Sequence, residues 1–295
     1  MSSDAHRHLF VSTLAAIALL GCGAASNEDY ARLAQAGNAY TTAMDKMLVT
    51  TGKMRVNATS EKLLESDALA NVSTDQYASN SSTDEELLVI TDELRQQNKL
   101  LGRYFNVLLE LATSDAPERA SEAASTIGTS IEGITAKLEP KVSRPVSGLL
   151  VSLTKLAVSE KIRGALREEL DQRQLTVRKA LYIEADLFQQ LARDLQASLN
   201  DVKRAQTKRL IIPPLVAEEP ITNTGQADAW IGTRRAIVTK RISAQDLEEA
   251  STATQEMRLA FEDLLTDKLT IARVKNLLVQ IDSISKIADS LNPDP

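Results

Sequence analysis

The sequence predicts an all-α protein, an elongated bundle of about five to seven long amphipathic helices. Three observations carry this prediction. Apolar residues recur at three- and four-residue spacing through most of the chain. Aromatic residues are only 3% of the total, and β-branched runs with two-residue alternation do not occur. Proline and glycine concentrate at a few breaks, which divide the chain into long helical stretches.

The first half of the chain divides into three predicted helices. The first covers about 28–72, with a break near Gly52 or Asn57, and a polar loop follows over 71–83. The capping box Thr83-Asp84-Glu85-Glu86 predicts the start of the second helix, and Pro117 predicts the start of the third, which ends near Pro140. Their apolar stripes are Leu87, Ile90, Leu94, Leu101, Tyr104, Leu108 and Leu111, and then Ile127, Ile131, Ile134 and Leu138.

The second half begins with a predicted helical stretch over 146–210. Its apolar start, Val146–Val158, is typical of a buried helix and is too short to span a membrane. The series that follows has the 3.6-residue period of a straight helix: Ile162, Leu166, Leu170, Val177, Leu181, Phe188, Leu191, Leu195 and Val202. A proline-containing loop over 211–225 precedes a helix over 227–265, divided at Ser243. The last helix carries Val274, Leu277, Ile281, Ile284, Ala288 and Leu291.

The N-terminus is typical of a secretion signal. Residues 9–20 form an uncharged apolar run, of a length that suits a signal-peptide core and is short of the roughly 20 residues that a membrane-spanning helix needs. The run ends in Leu19-Leu20-Gly21-Cys22, which resembles the lipobox of bacterial lipoproteins. The resemblance implies signal cleavage between Gly21 and Cys22, and attachment of fatty acids such as palmitate to Cys22.

Two other interpretations of this N-terminus stay open. Gly23-Ala24-Ala25 could be cleaved by ordinary signal peptidase, which would release a soluble exported protein. The apolar run could instead be a buried helix, with Cys22 as a core thiol. The lipoprotein resemblance implies the bacterial cell envelope. It favours the outer membrane, because Gly23 stands where aspartate tends to retain lipoproteins in the inner membrane.

This interpretation divides the chain into a signal peptide over 1–21, a lipidated tether over 22–29 and a helical bundle domain over 30–295. A subdomain break near 112–116 is compatible with the pattern. Lipid on Cys22 would attach the protein to the membrane.

The reactive side chains are confined to the N-terminus. His6, His8 and Cys22 are the only histidines and the only cysteine, so signal cleavage would leave a mature protein without histidine. This excludes Cys/His zinc sites, His-containing catalytic triads and the Glu-x-x-His motif of di-iron bundles. Adjacent carboxylates such as Glu168 and Glu169 point about 100° apart on a helix and do not converge. The sequence therefore predicts no enzyme, no metal site and no cofactor.

The segment 203–241 has a charge opposite to that of the whole chain. Eight basic and three acidic residues give it a net charge of +5, whereas the chain has −6. With Trp230, the only tryptophan, it could dock an anionic lipid head group, a surface glycolipid or an acidic protein. Alternatively, the cations complement a helix dipole and Trp230 is a core residue. The net charge argues against nucleic-acid binding. The basic residues are Lys203, Arg204, Lys208, Arg209, Arg234, Arg235, Lys240 and Arg241.

Three functional hypotheses follow. The first is a non-catalytic envelope lipoprotein whose rigid bundle holds an interaction surface away from the membrane and binds an envelope protein partner. The second is a membrane-active bundle that resembles α-helical pore-forming toxins and releases Val146–Val158 as its apolar element. The third is an enzyme with a carboxylate-only site.

Overall fold

The computed structural model describes residues 24–65, 69–113, 118–142, 153–160, 162, 164–216, 220–239 and 244–291. These residues contain seven α-helices and no strand, which confirms the predicted all-α bundle. The helices are α1 (Ala24–Glu65), α2 (Thr74–Thr113), α3 (Glu118–Leu138), α4 (Gly164–Gln206), α5 (Thr224–Thr239), α6 (Ala244–Leu265) and α7 (Ile271–Leu291).

Ion pairs between the long helices define their directions. Asp45 and Asp84 pair with Arg95 and Arg55, so α2 runs antiparallel to α1. At the C-terminal end of α1, Glu61 accepts a hydrogen bond from the Gln206 amide of α4, so α4 ends where α1 ends. The contacts Arg178–Glu262 and Lys46–Asp289 attach α6 to α4 and α7 to α1.

The apolar stripes predicted from spacing form the core. Every member of the series from Ile162 to Val202 is buried, and so are the six stripe residues of α7. In α2, Leu94 to Leu111 are buried, while Leu87 and Ile90 are partly buried. Burying a leucine-sized side chain contributes about 1.5–3 kcal/mol, so these stripes supply most of the force that holds the bundle together.

Two predicted boundaries in the first half were wrong. α1 is continuous from Ala24 to Glu65, through Gly52, and it begins within the stretch predicted as a tether. The polar segment over 71–83 is largely helical, because Ser73 starts α2: its Oγ accepts from the Gln76 N–H at 3.1 Å, and its carbonyl oxygen accepts from the Tyr77 N–H. The Thr83–Glu86 capping box therefore lies inside α2.

The prediction of a helix over Val146–Val158 was also wrong for its described part. Residues 153–159 are not helical, and α4 begins only at Gly164, which has a φ of 62° that L-residues with side chains rarely adopt. The Gln174 side chain donates to and accepts from the Leu156 backbone at 2.9 and 2.8 Å, and Arg178 donates to the Thr154 carbonyl. These bonds satisfy backbone groups that a helix would otherwise pair internally.

The bundle is elongated. α3 and α7 are shorter than the helices they pack against. The C-terminal part of α1, the N-terminal part of α2 and the C-terminal part of α4 extend past them, and α5 packs at this end of the bundle. The 37-residue step from Ala24 to Glu61 corresponds to about 55 Å along α1. None of the described helices has both the length and the apolarity needed to cross a membrane.

Candidate functional site

The structure divides the predicted site residues among three places. Gly21 and Cys22 lie outside the described residues, as do Lys240 and Arg241. Lys203, Arg204, Lys208 and Arg209 lie at the C-terminal end of α4 and in the π-helical turn Thr207–Ile211 that continues it. Trp230, Arg234 and Arg235 lie on α5.

Three of the four cations at the end of α4 are used in ion pairs. Arg209 donates three hydrogen bonds of 2.8, 2.9 and 3.2 Å to the Glu61 carboxylate, and Lys208 pairs with Glu65 at 3.1 Å. Arg204 pairs with Asp201 in its own helix. The Lys208 and Arg209 pairs attach the end of α4 to the end of α1, a structural role that the sequence did not predict. Lys203 is exposed.

Trp230 attaches α5 to the rest of the molecule. α5 makes its main contacts with the π-helical turn. The indole Nε1 donates to the Ile211 carbonyl oxygen at 3.3 Å, and the ring is half-buried. Ile237, one helical repeat of seven residues further on, is the buried residue of this helix. Trp230 is therefore neither a fully buried core residue nor a free anchor.

Arg234 and Arg235 differ from the three paired cations at the end of α4. Both side chains are exposed, and neither guanidinium group forms an ion pair or a hydrogen bond with the described part of the chain. They lie along a shallow groove of about 320 Å³ together with Trp230, Ile231 and Val238. The spacing places these side chains on one stripe of α5, so two unpaired guanidinium groups lie between apolar neighbours.

The same region exposes aliphatic residues that were not predicted from the sequence as part of a site. We use the name distal tip for residues 210–216 and 220–239. Of the sixteen large apolar side chains that are exposed among the described residues, seven lie in the distal tip. The signal was present in the run LIIPPLV over 210–216, where two prolines follow two isoleucines and prevent a regular helix. The seven are Leu210, Ile212, Leu215, Val216, Ile221, Ile231 and Val238.

Two buried glutamates of α4, Glu169 and Glu184, lie outside the distal tip. Glu169 is buried against Arg173 at 2.5 Å, while its neighbour Glu168 is exposed, so this pair does not converge. Burial raises the pKa of Glu169, and Arg173 and Tyr104 offset part of that increase. Both carboxylate oxygens of the fully buried Glu184 lack a partner in regular hydrogen-bonding geometry within the described chain.

Glu184 lies next to the Tyr40 hydroxyl. Burial raises the pKa of Glu184 to about 8, and the Tyr40 hydroxyl offsets part of that increase. Burial and the Glu184 carboxyl group also raise the pKa of Tyr40. Both side chains are completely enclosed, so no substrate reaches them from solvent in this conformation. Tyr40 and Glu184 are therefore core residues, and neither presents a reacting group to solvent.

A second concave feature lies between α1 and α2. This groove of about 520 Å³ combines apolar residues such as Leu48 and Leu88 with Asp92 and Arg95. The Arg95 guanidinium already donates to Asp92 at 3.2 Å and to Asp45 at 2.8 Å. Because its arginine is engaged in these contacts, the groove has less unpaired charge to offer a ligand than the distal tip has.

Within the described ranges, no group of three or more histidine, cysteine, aspartate or glutamate residues could hold a metal ion. No protein family, curated protein or solved structure matches this chain. The distal tip is therefore the candidate functional site on the basis of its own exposure and charge.

Proposed function

We propose that this protein is a non-catalytic, lipid-anchored helical bundle of the bacterial cell envelope, with the outer membrane as its favoured location. Fatty acids on Cys22 would hold its N-terminus at the membrane, and the distal tip would be its interaction surface.

The observation that carries this proposal is the placement of the distal tip relative to the N-terminus. α1 begins two residues after Cys22 in the chain and ends at Glu65. Near this end, Glu61 and Glu65 pair with Arg209 and Lys208 of the turn that supports α5. A continuous helix of 42 residues therefore separates the predicted lipid from the exposed apolar and basic residues. A rigid spacer between a lipid anchor and an exposed surface supports a role in binding, which requires no reactive side chain.

Metabolic labelling tests the anchor. Cells that express the full chain are grown with a labelled fatty acid, and the wild type is compared with Cys22→Ser. We expect label and membrane association in the wild type and loss of both in the variant.

A second variant provides the control for position. Ser26→Cys in the Cys22→Ser background restores a thiol four residues downstream, outside the lipobox pattern. We expect no labelling of this variant. Equal labelling and fractionation of the wild type and Cys22→Ser would contradict the lipid anchor. Crosslinking in cells from the exposed position Ile231 then identifies what the distal tip contacts.

A further inference from the structure

The distal tip has the composition of a surface that enters the boundary of a lipid bilayer. Leu215 is 69% exposed and Val216 is 56% exposed, and both lie in the 3-10 turn Pro213–Val216. Pro213, Pro214 and Pro220 restrict the backbone of this segment, so keeping the aliphatic side chains exposed to solvent costs little further backbone conformational entropy. Exposed aliphatic residues in a polar surrounding mark an interaction site.

Unpaired cations flank these aliphatic residues. Lys203 precedes them in the chain, and Arg234 and Arg235 follow them on α5, with no acidic partner in the described residues. The segment 203–241 also contains Glu218, Glu219 and Asp228, and three of its cations pair with Asp201, Glu61 and Glu65 outside it, so its net charge together with those three partners is +2. The unpaired guanidinium groups of Arg234 and Arg235 therefore attract an anionic surface, although the chain as a whole is acidic.

The chemistry favours a bilayer over a protein partner. Hot spots of protein interfaces are enriched in tryptophan, tyrosine and arginine, and leucine and valine are under-represented among them. Here the tryptophan, Trp230, attaches α5 to Ile211, and the exposed apolar residues are aliphatic. The side chains that remain are aliphatic residues on a protruding turn and guanidinium groups, which form paired hydrogen bonds with phosphate oxygens. Apolar insertion combined with basic contacts is how peripheral proteins bind anionic lipid.

We propose that the distal tip docks on a bilayer that contains anionic phospholipid. Leu215 and Val216 insert at the boundary between head groups and acyl chains, and Arg234 and Arg235 bind the phosphate groups. This docking does not depend on acylation of Cys22. One consequence rests on the proposed function: a molecule anchored at its N-terminus and docked at its distal tip connects two membranes about 55 Å apart or more.

Vesicle cosedimentation tests the docking. The full chain carrying Cys22→Ser, which has no acylation site, is mixed with phosphatidylcholine vesicles that contain or lack phosphatidylglycerol. We expect stronger binding to the anionic vesicles. The double variant Leu215→Ser with Val216→Ser should weaken that binding. The double variant Arg234→Gln with Arg235→Gln should weaken it about 25-fold, since each cation near an anionic surface contributes about fivefold.

Matched controls separate the distal tip from the rest of the surface. Ile271→Ser with Val279→Ser removes aliphatic residues of α7 that are 50% and 68% exposed. Lys99→Gln with Lys275→Gln removes two exposed cations from α2 and α7. Both control pairs should bind anionic vesicles as the parent chain does. Since all eight positions are exposed, circular dichroism should show the same folded helix content throughout.

Three outcomes would overturn the docking proposal. These are equal binding by tip and control variants, equal binding to vesicles with and without phosphatidylglycerol, and capture of an acidic protein at Ile231 in cells without vesicle binding. Failure of fatty-acid labelling leaves the docking unaffected and removes only the connection of two membranes. Clustering of anionic vesicles by acylated protein inserted in other vesicles then tests that connection.

Discussion

Glu184 is a carboxyl group that folding places in the apolar centre of the bundle. It is fully buried, it faces Tyr40, and its pKa is raised to about 8. A carboxyl whose pKa is higher in the folded state than in the unfolded state makes stability fall as pH rises between those two values. Between about pH 4.5 and 8, the unfolded chain releases this proton while the folded chain keeps it.

We therefore predict that Glu184→Gln increases the free energy of unfolding at pH 8, by an amount on the order of a few kcal/mol. The increase should be small below pH 5 and should grow towards pH 8, because glutamine is never ionised. Urea unfolding at a series of pH values measures it. Glu85→Gln, at an exposed position of α2, is the control. An effect of Glu184→Gln that is the same at pH 5 and pH 8 would contradict the prediction.

Gly37 allows α1 and α2 to approach closely. A Cβ at this position would lie 2.6 Å from Phe105 Cδ2 and 2.8 Å from Cγ. The Phe105 ring cannot easily move, because it is buried and packs edge-on against Phe261 with ring centres 6.3 Å apart. The glycine is therefore required by packing, although it lowers helix propensity.

Gly37→Ala should destabilise the protein by about 1–2 kcal/mol, since overpacking exceeds the gain in helix propensity. Gly133→Ala on α3 is the matched control, because no atom lies within 4 Å of its added Cβ. That control should stabilise by about 0.5–1 kcal/mol. Thermal unfolding followed by circular dichroism measures both, and equal shifts of the two midpoints would refute the packing explanation.

At the scale of elements, the segment 153–160 shows why a helix predicted from hydrophobicity alone does not form. Its apolar residues are consistent with a helix, and Val158 is buried as expected. However, Gln174 and Arg178 of α4 bind its backbone, and the Ser159 N–H donates to the Leu265 carbonyl at 2.9 Å. The partners are distant in sequence, so no local pattern could indicate them.

Gln174→Ala should release this segment. The substitution leaves the Leu156 N–H and carbonyl without their partner, which should cost about 2 kcal/mol. Hydrogen exchange of the Leu156 amide should become faster, while amides in the centre of α2 stay protected. Gln172→Ala, an exposed position two residues earlier, should leave exchange at Leu156 unchanged. Unchanged exchange in the Gln174 variant would show that other contacts hold the segment.

The start of α2 gives a second example at this scale. Ser73 and the Thr83–Glu86 box are both acceptable helix starts by sequence. The earlier start prevails because it lets α2 extend along the C-terminal part of α1, where Asp84 accepts hydrogen bonds from Arg55 Nε at 2.9 Å and Thr59 Oγ1 at 2.8 Å. Packing against a partner helix outweighs the polar composition of the segment.

At the scale of the whole molecule, shape follows from unequal helix lengths. α1 and α4 have 42 and 43 residues, whereas α3 and α7 have 21 each, so the short helices cover only part of the long ones. Six or seven helices of equal length would give a thicker and shorter bundle. The distal tip exists because α5 packs on a turn at the uncovered end of α4.

Small-angle X-ray scattering of the Cys22→Ser chain should therefore give a radius of gyration well above the roughly 19 Å of a compact protein of this length. The charge reversal Arg209→Glu, which removes the pair with Glu61, should make the tip more mobile and increase the radius further. Lys286→Glu, at an exposed pair within α7, is the control and should not change it. A radius near 19 Å for the parent chain would contradict the elongated shape.

The sequence by itself determined the all-α class, the buried stripes of α4 and α7 and the division between α5 and α6, because amphipathic periodicity and helix breaks are local properties. It also indicated the basic segment, since charge is read directly from residues. Only the tertiary structure decided that Lys208 and Arg209 are used in ion pairs between helices, while Arg234 and Arg235 have no acidic partner among the described residues. Pairing of Lys208 and Arg209 depends on Glu65 and Glu61, which are more than 140 residues away in the chain and adjacent only after α1 and α4 pack in parallel.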